Sequence, residues 1–196
     1  MGKAQIRPLH SRQEYYQLDK MSNVRHEYCD GEIFAMAGGS ATHALLIGRM
    51  TTVLNNGLAG FPCDAVPCDQ RVRIEAVDLD TYPDVVVWCD DARFDSLDEH
   101  TLVEPRLLVE VLSSSTAQYD QTTKLEAYKM IPTLSDYLIV WQDKICVEHH
   151  AREAENWKMR RFQRRDDILL IPGFAIELPL SEIYRRLDLP EGAENG

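Results

Sequence analysis

The chain predicts an α/β fold, a central mixed β-sheet flanked by helices with additional β-hairpins in its C-terminal part. Three observations carry this. Segments 82–89 and 106–112 (YPDVVVWC and RLLVEVL) are nearly continuous apolar runs, as expected for strands covered on both faces. GGSATHALLIGRMTTVLNNGL and TKLEAYKMI read as helices, the first with its apolar residues at helical spacing. KICVEHH, NWKMRRFQ and DILLIPGFAIEL read as the strands of a hairpin-rich tail.

Taken in order, SRQEYYQLDKM is a short helix, and HEYCDGEIFAM is two strands around an Asp30-Gly31 turn, the commonest short hairpin signal. Ser40 is the expected N-cap of the next helix, whose stripe is Leu45, Leu46, Ile47, Met50, Val53 and Leu54. Asn55-Asn56-Gly57 is its expected stop. Residues 62–75, 82–89 and 106–112 follow as strands, with DDARFDSLDEHTLVEP as a charged, exposed excursion. TKLEAYKMI then forms a helix ending at Pro132 and DYLIVW a buried strand. SEIYRRL closes the chain as a helix capped by Ser181. With 196 residues and neither repeat nor long linker, a single domain spanning 1–196 is expected.

The balance of 21 basic against 32 acidic residues, net −11, argues against a protein that coats nucleic acid generally or binds anionic lipid, while leaving room for a local basic patch. No stretch approaches the ~18 apolar residues of a membrane span, and the first ten residues carry no export or myristoylation signal, so a cytoplasmic location is expected. The five cysteines, Cys29, Cys63, Cys68, Cys89 and Cys146, are odd in number and form no CxxC pair. Buried, reduced thiols without an intramolecular disulfide are therefore expected.

Asp84 opens one apolar run and Glu110 sits inside another, flanked by Leu108, Val109, Val111 and Leu112. An unpartnered polar group in such a place costs roughly 2–7 kcal/mol, so both acids need a partner. Strands consecutive in sequence are usually neighbours, which lets the two carboxylates converge at one sheet edge. Converging carboxylates call for a proton or a cation between them, and hard oxygen donors suit Mg²⁺ or Mn²⁺ better than zinc. Asp84 alone could cap a strand. Lys124, in the helix after the tight SSST turn, is placed to come back over the end of the Glu110 strand and assist phosphoryl chemistry, or else to pair with Asp120 on an exposed helix face. Glu27 can add a ligand or base, although Asp30 and Glu32 lie close by, and His43 can add a hydrogen-bond donor. Arg160, Arg161, Arg164 and Arg165 form the one dense basic cluster, read as a solvated hairpin or a phosphate-contacting patch. His149 and His150 read as exposed strand residues.

In order, HEYCDGEIFAMAGGSATHALLIGRM, YPDVVVWCD and LLVEVLSSSTAQYDQTTKLEAYKMIPTLSDYLIVWQD resemble the Uma2 family of restriction-endonuclease-like proteins, a branch of the PD-(D/E)XK nuclease superfamily. The likeness covers about residues 14–180. It implies a restriction-endonuclease-like core, divalent-metal dependence and hydrolysis of phosphodiester bonds. By position, Pro83-Asp84 matches the PD element, Glu110 matches the acid of (D/E)XK, and Glu27 matches an early family glutamate. Two residues after Glu110 stands Leu112, so the X-K element is broken, and Lys124 has the place of its lysine.

The reading that follows is a Mg²⁺- or Mn²⁺-dependent endonuclease acting on nucleic acid, DNA first. Asp84 and Glu110 hold the ion, with the Val111 carbonyl as a further oxygen, and Lys124 and Glu27 complete the catalytic set. The alternative is a catalytically silent nuclease-fold scaffold or nucleic-acid-binding module, and a glycosidase using two carboxylates ranks last because it leaves Lys124 idle. Cutting both strands of a duplex favours a homodimer, with Trp157, Phe162, residues 168–171 and Phe174 as the expected contact surface.

Overall fold

In the computed structural model, which describes residues 9–36, 38–112 and 117–192, the chain builds a six-stranded mixed sheet covered on both faces. Its strands are β3 (Cys63–Pro67), β6 (Val85–Cys89), β8 (Leu107–Leu112), β9 (Asp136–Trp141), β10 (Val147–Glu153) and β11 (Asn156–Phe162), in the order β11-β10-β9-β8-β6-β3. Only β8 and β9 run parallel, joined by a helical crossover, and the remaining pairs are antiparallel.

One face carries α2 (Ala41–Leu58), the hairpin β12–β13 (Ile168–Ile171, Ile176–Pro179) and α5 (Leu180–Ile183), packed over Val85, Val87, Val109, Val111, Leu138 and Val140. The other face carries α3 (Ala117–Tyr119), a π-helical turn (Asp120–Lys124), α4 (Leu125–Lys129) and a second sheet. That sheet orders β2 (Glu32–Ala35), β1 (His26–Cys29), β5 (Leu79–Thr81), β4 (Arg71–Ile74) and β7 (Thr101–Leu102). The continuous apolar runs of β6 and β8 are thus strands buried from both sides, as their sequence predicts.

The hairpin of β1 and β2 turns at Asp30 and Gly31 with φ of 45° and 85°, the left-handed pair that an Asp-Gly turn favours. Helix α1 (Arg12–Met21) starts with a reciprocal cap between Ser11 and Glu14. Its last turn places Asp19, fully buried, against Arg71 at 2.7 Å and the Tyr82 hydroxyl. The Arg71 guanidinium also lies over the rings of Tyr15, Tyr16 and Tyr82, 4.7–5.4 Å from their centroids. This buried network fixes the backbone just ahead of Pro83.

Several expectations are corrected. Helix α2 runs past Asn55-Asn56-Gly57, because the Asn55 amide clamps both backbone groups of Ala65 and a Cβ at Gly57 would fall 2.7 Å from Ile176. Packing, not helix termination, explains that glycine. The strand expected over 62–75 is two strands broken at Cys68, whose φ is 58°. The excursion after β6 is not wholly exposed: Thr101 to Val103 are buried and β7 pairs parallel to β4. The closing helix begins at Leu180, with Pro179 as N-cap instead of Ser181.

The expectation of no disulfide is overturned as well. Cys63 and Cys89 face each other across β3 and β6, in register, and are bonded, with Cα atoms 3.9 Å apart. Cys29, Cys68 and Cys146 remain free. Spacing in sequence could not show this, since strand register alone brings the two together. The expected cytoplasmic location loses the support it drew from reduced thiols. Among the described residues no helix is long and apolar enough to cross a membrane.

His149 and His150 are buried, not exposed, because β10 lies inside the sheet between β9 and β11. His149 bonds Asp136 at 2.6 Å. Three of the seven apolar residues expected at a dimer contact are core: Leu169, Ile171 and Phe174 are buried, Trp157 and Phe162 are half-buried, and Ile168 and Leu170 are exposed.

Candidate active site

Alternation along β8 sends Val109 and Val111 toward α2 and Leu108 and Leu112 to the opposite face, so Glu110 lies under the π-helical turn and α4. There it meets Lys124. The Lys124 ammonium lies 2.9 Å from Glu27 Oε1, 3.1 Å from Glu110 Oε1 and 3.5 Å from Asp120 Oδ1. Lys124, Glu110 and Asp120 are each 5% exposed or less. The wide π-helical turn holds Asp120 and Lys124 at its two ends, and such turns recur at functional sites.

Two hydroxyls complete the cluster. Tyr128, four residues after Lys124 on α4, donates to Glu110 Oε1 at 2.7 Å, and Thr81 of β5 donates to Glu27 Oε1. Asp84 lies where the chain passes from β5 of the small sheet to β6 of the large one. Its Oδ2 accepts the Val111 amide at 2.7 Å and lies 3.2 Å from His43 Nε2, in the first turn of α2. The amide it accepts belongs to the residue after Glu110.

Burial, the largest influence, pushes the Glu110 carboxyl up to about 8. Lys124 opposes this and Asp84 and Asp120 add to it. For Lys124, burial alone would favour loss of the proton, but Glu110, Glu27 and Asp120 outweigh it and hold the group well above the usual lysine range. His43 is raised by its contact with Asp84, against burial.

Glu27, Glu110 and Asp120 thus converge on a single ammonium, and Asp84 adds a fourth carboxylate whose field reaches Glu110. That surplus of negative charge in a buried place suits a further cation. Asp84 Oδ1 and Glu110 Oε2 accept no hydrogen bond from a described residue. Among the described residues no three His, Cys, Asp or Glu side chains form a ready metal cage. Two carboxylates and mostly water are what Mg²⁺ takes, so the donor set fits that ion and not zinc.

Of the four expected site residues, Glu27, Glu110 and Lys124 are in direct contact, whereas Asp84 is held by the Val111 amide and His43 and reaches Glu110 only through its field. The surroundings of Leu112, 3% exposed in the apolar layer, show why a lysine two residues after Glu110 would have no polar partner there. Sequence reasoning assigned nothing to Tyr128 or Thr81. Tyr128 stood in the family segment at helical spacing from Lys124, a usable signal, whereas Thr81 had none. Three of the four arginines of the tail cluster are neutralised, Arg160 by Glu153, Arg161 by Glu148 and Arg164 by Asp166, whereas Arg165 donates to backbone carbonyls.

Residues 12–181 match the model of the Uma2 family, described as "Putative restriction endonuclease". The uncharacterized protein slr1290 of Synechocystis sp. is 34% identical over 181 residues, 92% of this chain and 94% of that protein. A second uncharacterized Synechocystis protein, sll1609, is 31% identical over 142 residues, 72% of this chain and 80% of that protein. A crystal structure titled as a putative nuclease belonging to DUF820, from Anabaena variabilis ATCC 29413, superposes with a TM-score of 0.71 at 17% identity. The match covers 88% of this chain and 96% of that one, and it shows a shared fold.

Proposed function

The chain belongs to the Uma2 family, and from that premise we propose that it is a divalent-metal-dependent endonuclease that hydrolyses phosphodiester bonds of nucleic acid, with DNA as substrate. The observation that supports this most is the buried convergence of Glu27, Glu110 and Asp120 on Lys124 beside Asp84. A structural role alone gives no reason to collect four carboxylates where each resists burial.

Asp84 and Glu110 would hold Mg²⁺ or Mn²⁺, with the Val111 carbonyl beside them. When bound, the ion supplies Lewis-acid polarisation of the phosphoryl group and a more acidic water. Lys124, held charged by its neighbours, donates a hydrogen bond to a non-bridging phosphate oxygen as charge builds there. Glu27, fixed by Thr81 and Lys124, accepts a proton from the attacking water. His43 and the Val111 amide orient Asp84, and Tyr128 orients Glu110. Cutting both strands of a duplex at one place needs two such sites, so a two-fold homodimer belongs to the proposal. So does a cytoplasmic location, where the Cys63–Cys89 pair would be kept reduced.

The silent-scaffold reading draws on one observation: Glu110 and Lys124 are both buried and already paired. Supercoiled plasmid and single-stranded RNA incubated with the purified chain in Mg²⁺, Mn²⁺ or EDTA separate the two. Metal-dependent nicking supports the nuclease, and intact substrate in all three conditions, with a folded protein, supports the scaffold.

A further inference from the structure

The fold assembles a basic group that the sequence scatters. Arg49 of α2 donates to the Ile183 carbonyl at 3.1 Å, at the end of α5. The turn that follows carries Arg185 and Arg186, both exposed, the latter at a left-handed φ of 59°. Arg165 reaches under the same turn and donates to the carbonyls of Tyr184 and Leu187 at 2.9 and 2.8 Å. Four guanidiniums from three parts of the chain thus surround one turn. Elsewhere the arginines are largely matched to acids; here, among the described residues, none of the four guanidiniums makes an ion pair, although Asp166 and Asp167 follow Arg165 in sequence, Glu191 accepts the Arg165 backbone amide at 3.1 Å, and Glu182 and Asp188 flank the turn. Arg49 is held below its ordinary value by burial and by the repulsion of Arg185 and Arg186, with Glu182 opposing. In a chain of net charge −11, an unneutralised arginine group invites an anion.

Its place relative to the candidate active site suggests which anion. His43, in contact with Asp84, and Arg49 lie on the same helix six residues apart, about 9 Å along its axis. One strand of DNA advances about 3.4 Å per nucleotide, so this axial offset corresponds to roughly three nucleotides of a backbone that follows α2 and passes to its Arg49 side.

We infer that Arg49, Arg185 and Arg186 form a binding site for the sugar-phosphate backbone of DNA, flanking the scissile position along α2. The site rests on the proposed nuclease reading for its substrate class, and it contacts phosphate without reading bases. Arg165 is a positioning residue that shapes the turn through its carbonyls. Sequence reasoning looked for such a patch in the tail, where the carboxylates of Glu148, Glu153 and Asp166 have taken up the charge.

The test is fluorescence anisotropy of a labelled duplex of about 30 base pairs, in EDTA so that binding is read without cleavage, from about 50 to 200 mM salt. Arg185→Gln with Arg186→Asn removes two charges, and asparagine tolerates the left-handed backbone at 186. The double variant should bind about tenfold more weakly, and the slope of log affinity against log salt should fall by about two. Arg49→Gln should weaken binding in the same direction, while Arg160→Gln, whose charge Glu153 already takes up, should keep wild-type affinity. Unchanged affinity and slope in the double variant, or a wild-type chain that does not bind the duplex, overturns the inference. Plasmid nicking measured alongside keeps the two claims apart. Nicking with unchanged binding rejects the arginine site and leaves the nuclease standing. Weakened binding by the double variant with no nicking by the wild type keeps the arginine site and rejects the nuclease.

Discussion

Replacing Lys124 by Ala removes the one ammonium shared by Glu27, Glu110 and Asp120, at 2.9, 3.1 and 3.5 Å. Deleting one partner of a buried charge pair costs roughly 3–5 kcal/mol because the other is left uncompensated. Here the loss should lie near the lower end. Glu110, raised to about 8, is already largely protonated at neutral pH, and without the opposing field of Lys124 it rises further and stays neutral, so the cost falls on Glu27 and Asp120, which lose their shared cation. A loss of about 3 kcal/mol lowers the melting temperature of a chain this size by roughly 6–12 °C. Thermal melting in EDTA measures it. Added Mg²⁺ should restore more stability to the variant than to the wild type, since the ion then occupies a site without a competing cation; saturation at 100 times Kd is worth about 2.7 kcal/mol. Cleavage, measured well below the lower melting temperature, should fall about 10²-fold or more, the scale of losing one donor to the developing charge. A variant that melts with the wild type in EDTA and cleaves at its rate would refute the reasoning, because the cluster would then be neither a stability element nor a catalytic one.

Asp19→Asn should destabilise the protein by roughly 2–3 kcal/mol at pH 7, because buried Arg71 loses one of its two carboxylates and keeps only Asp98 at 2.7 Å. Burial raises the Asp19 carboxyl, but Tyr82 and Arg71 outweigh it and hold it below its ordinary value. Its contribution is therefore present above the unfolded value of about 3.8 and lost as pH falls through the folded one, so urea titrations of the two proteins should converge in acid. Thiol titration of the air-oxidised, denatured chain should find the three free cysteines and all five only after reduction. Reduction should cost roughly 3–4 kcal/mol for a sequence separation of 26, and five thiols without reductant would remove the bridge. Light scattering should give twice the mass of the chain at micromolar concentration; a monomer would contradict the two-fold pair.

The parts of the site that could be read from sequence were those that break a pattern. A glutamate hemmed in by Leu108, Val109, Val111 and Leu112 has no reason to be there without a partner, and Asp84 stands at the head of a valine run. Lys124 was legible only through spacing and family likeness, because nothing local marks the π-helical turn that aims it. What remained hidden was set by register and tertiary approach. Cys63 and Cys89 meet because β3 pairs with β6 in one register, and another register would leave both free. Gly57 ends no helix because Ile176, over a hundred residues away, packs against it. The arginine group is invisible for the same reason: its three stretches are far apart in sequence, Arg165 lying 116 residues after Arg49 and Arg185 a further 20. Second-sheet strands such as β7, two residues long, are below what any periodicity can register.

The passage of the chain from one sheet to the other at Asp84 bears on how the protein is made. Glu27 and Thr81 belong to the small sheet, Glu110 to the large one, and Lys124 to the crossover between β8 and β9. A chain growing from the ribosome at about 5–20 residues per second therefore has Glu27 and Asp84 in hand several seconds before β9 exists to support β8. Helix α2, which presents His43, then waits for the β12–β13 hairpin to cover its other side. A chain that ends before β9 lacks the parallel partner of the Glu110 strand, so the acids should gather around Lys124 only once residues 136–141 have been made.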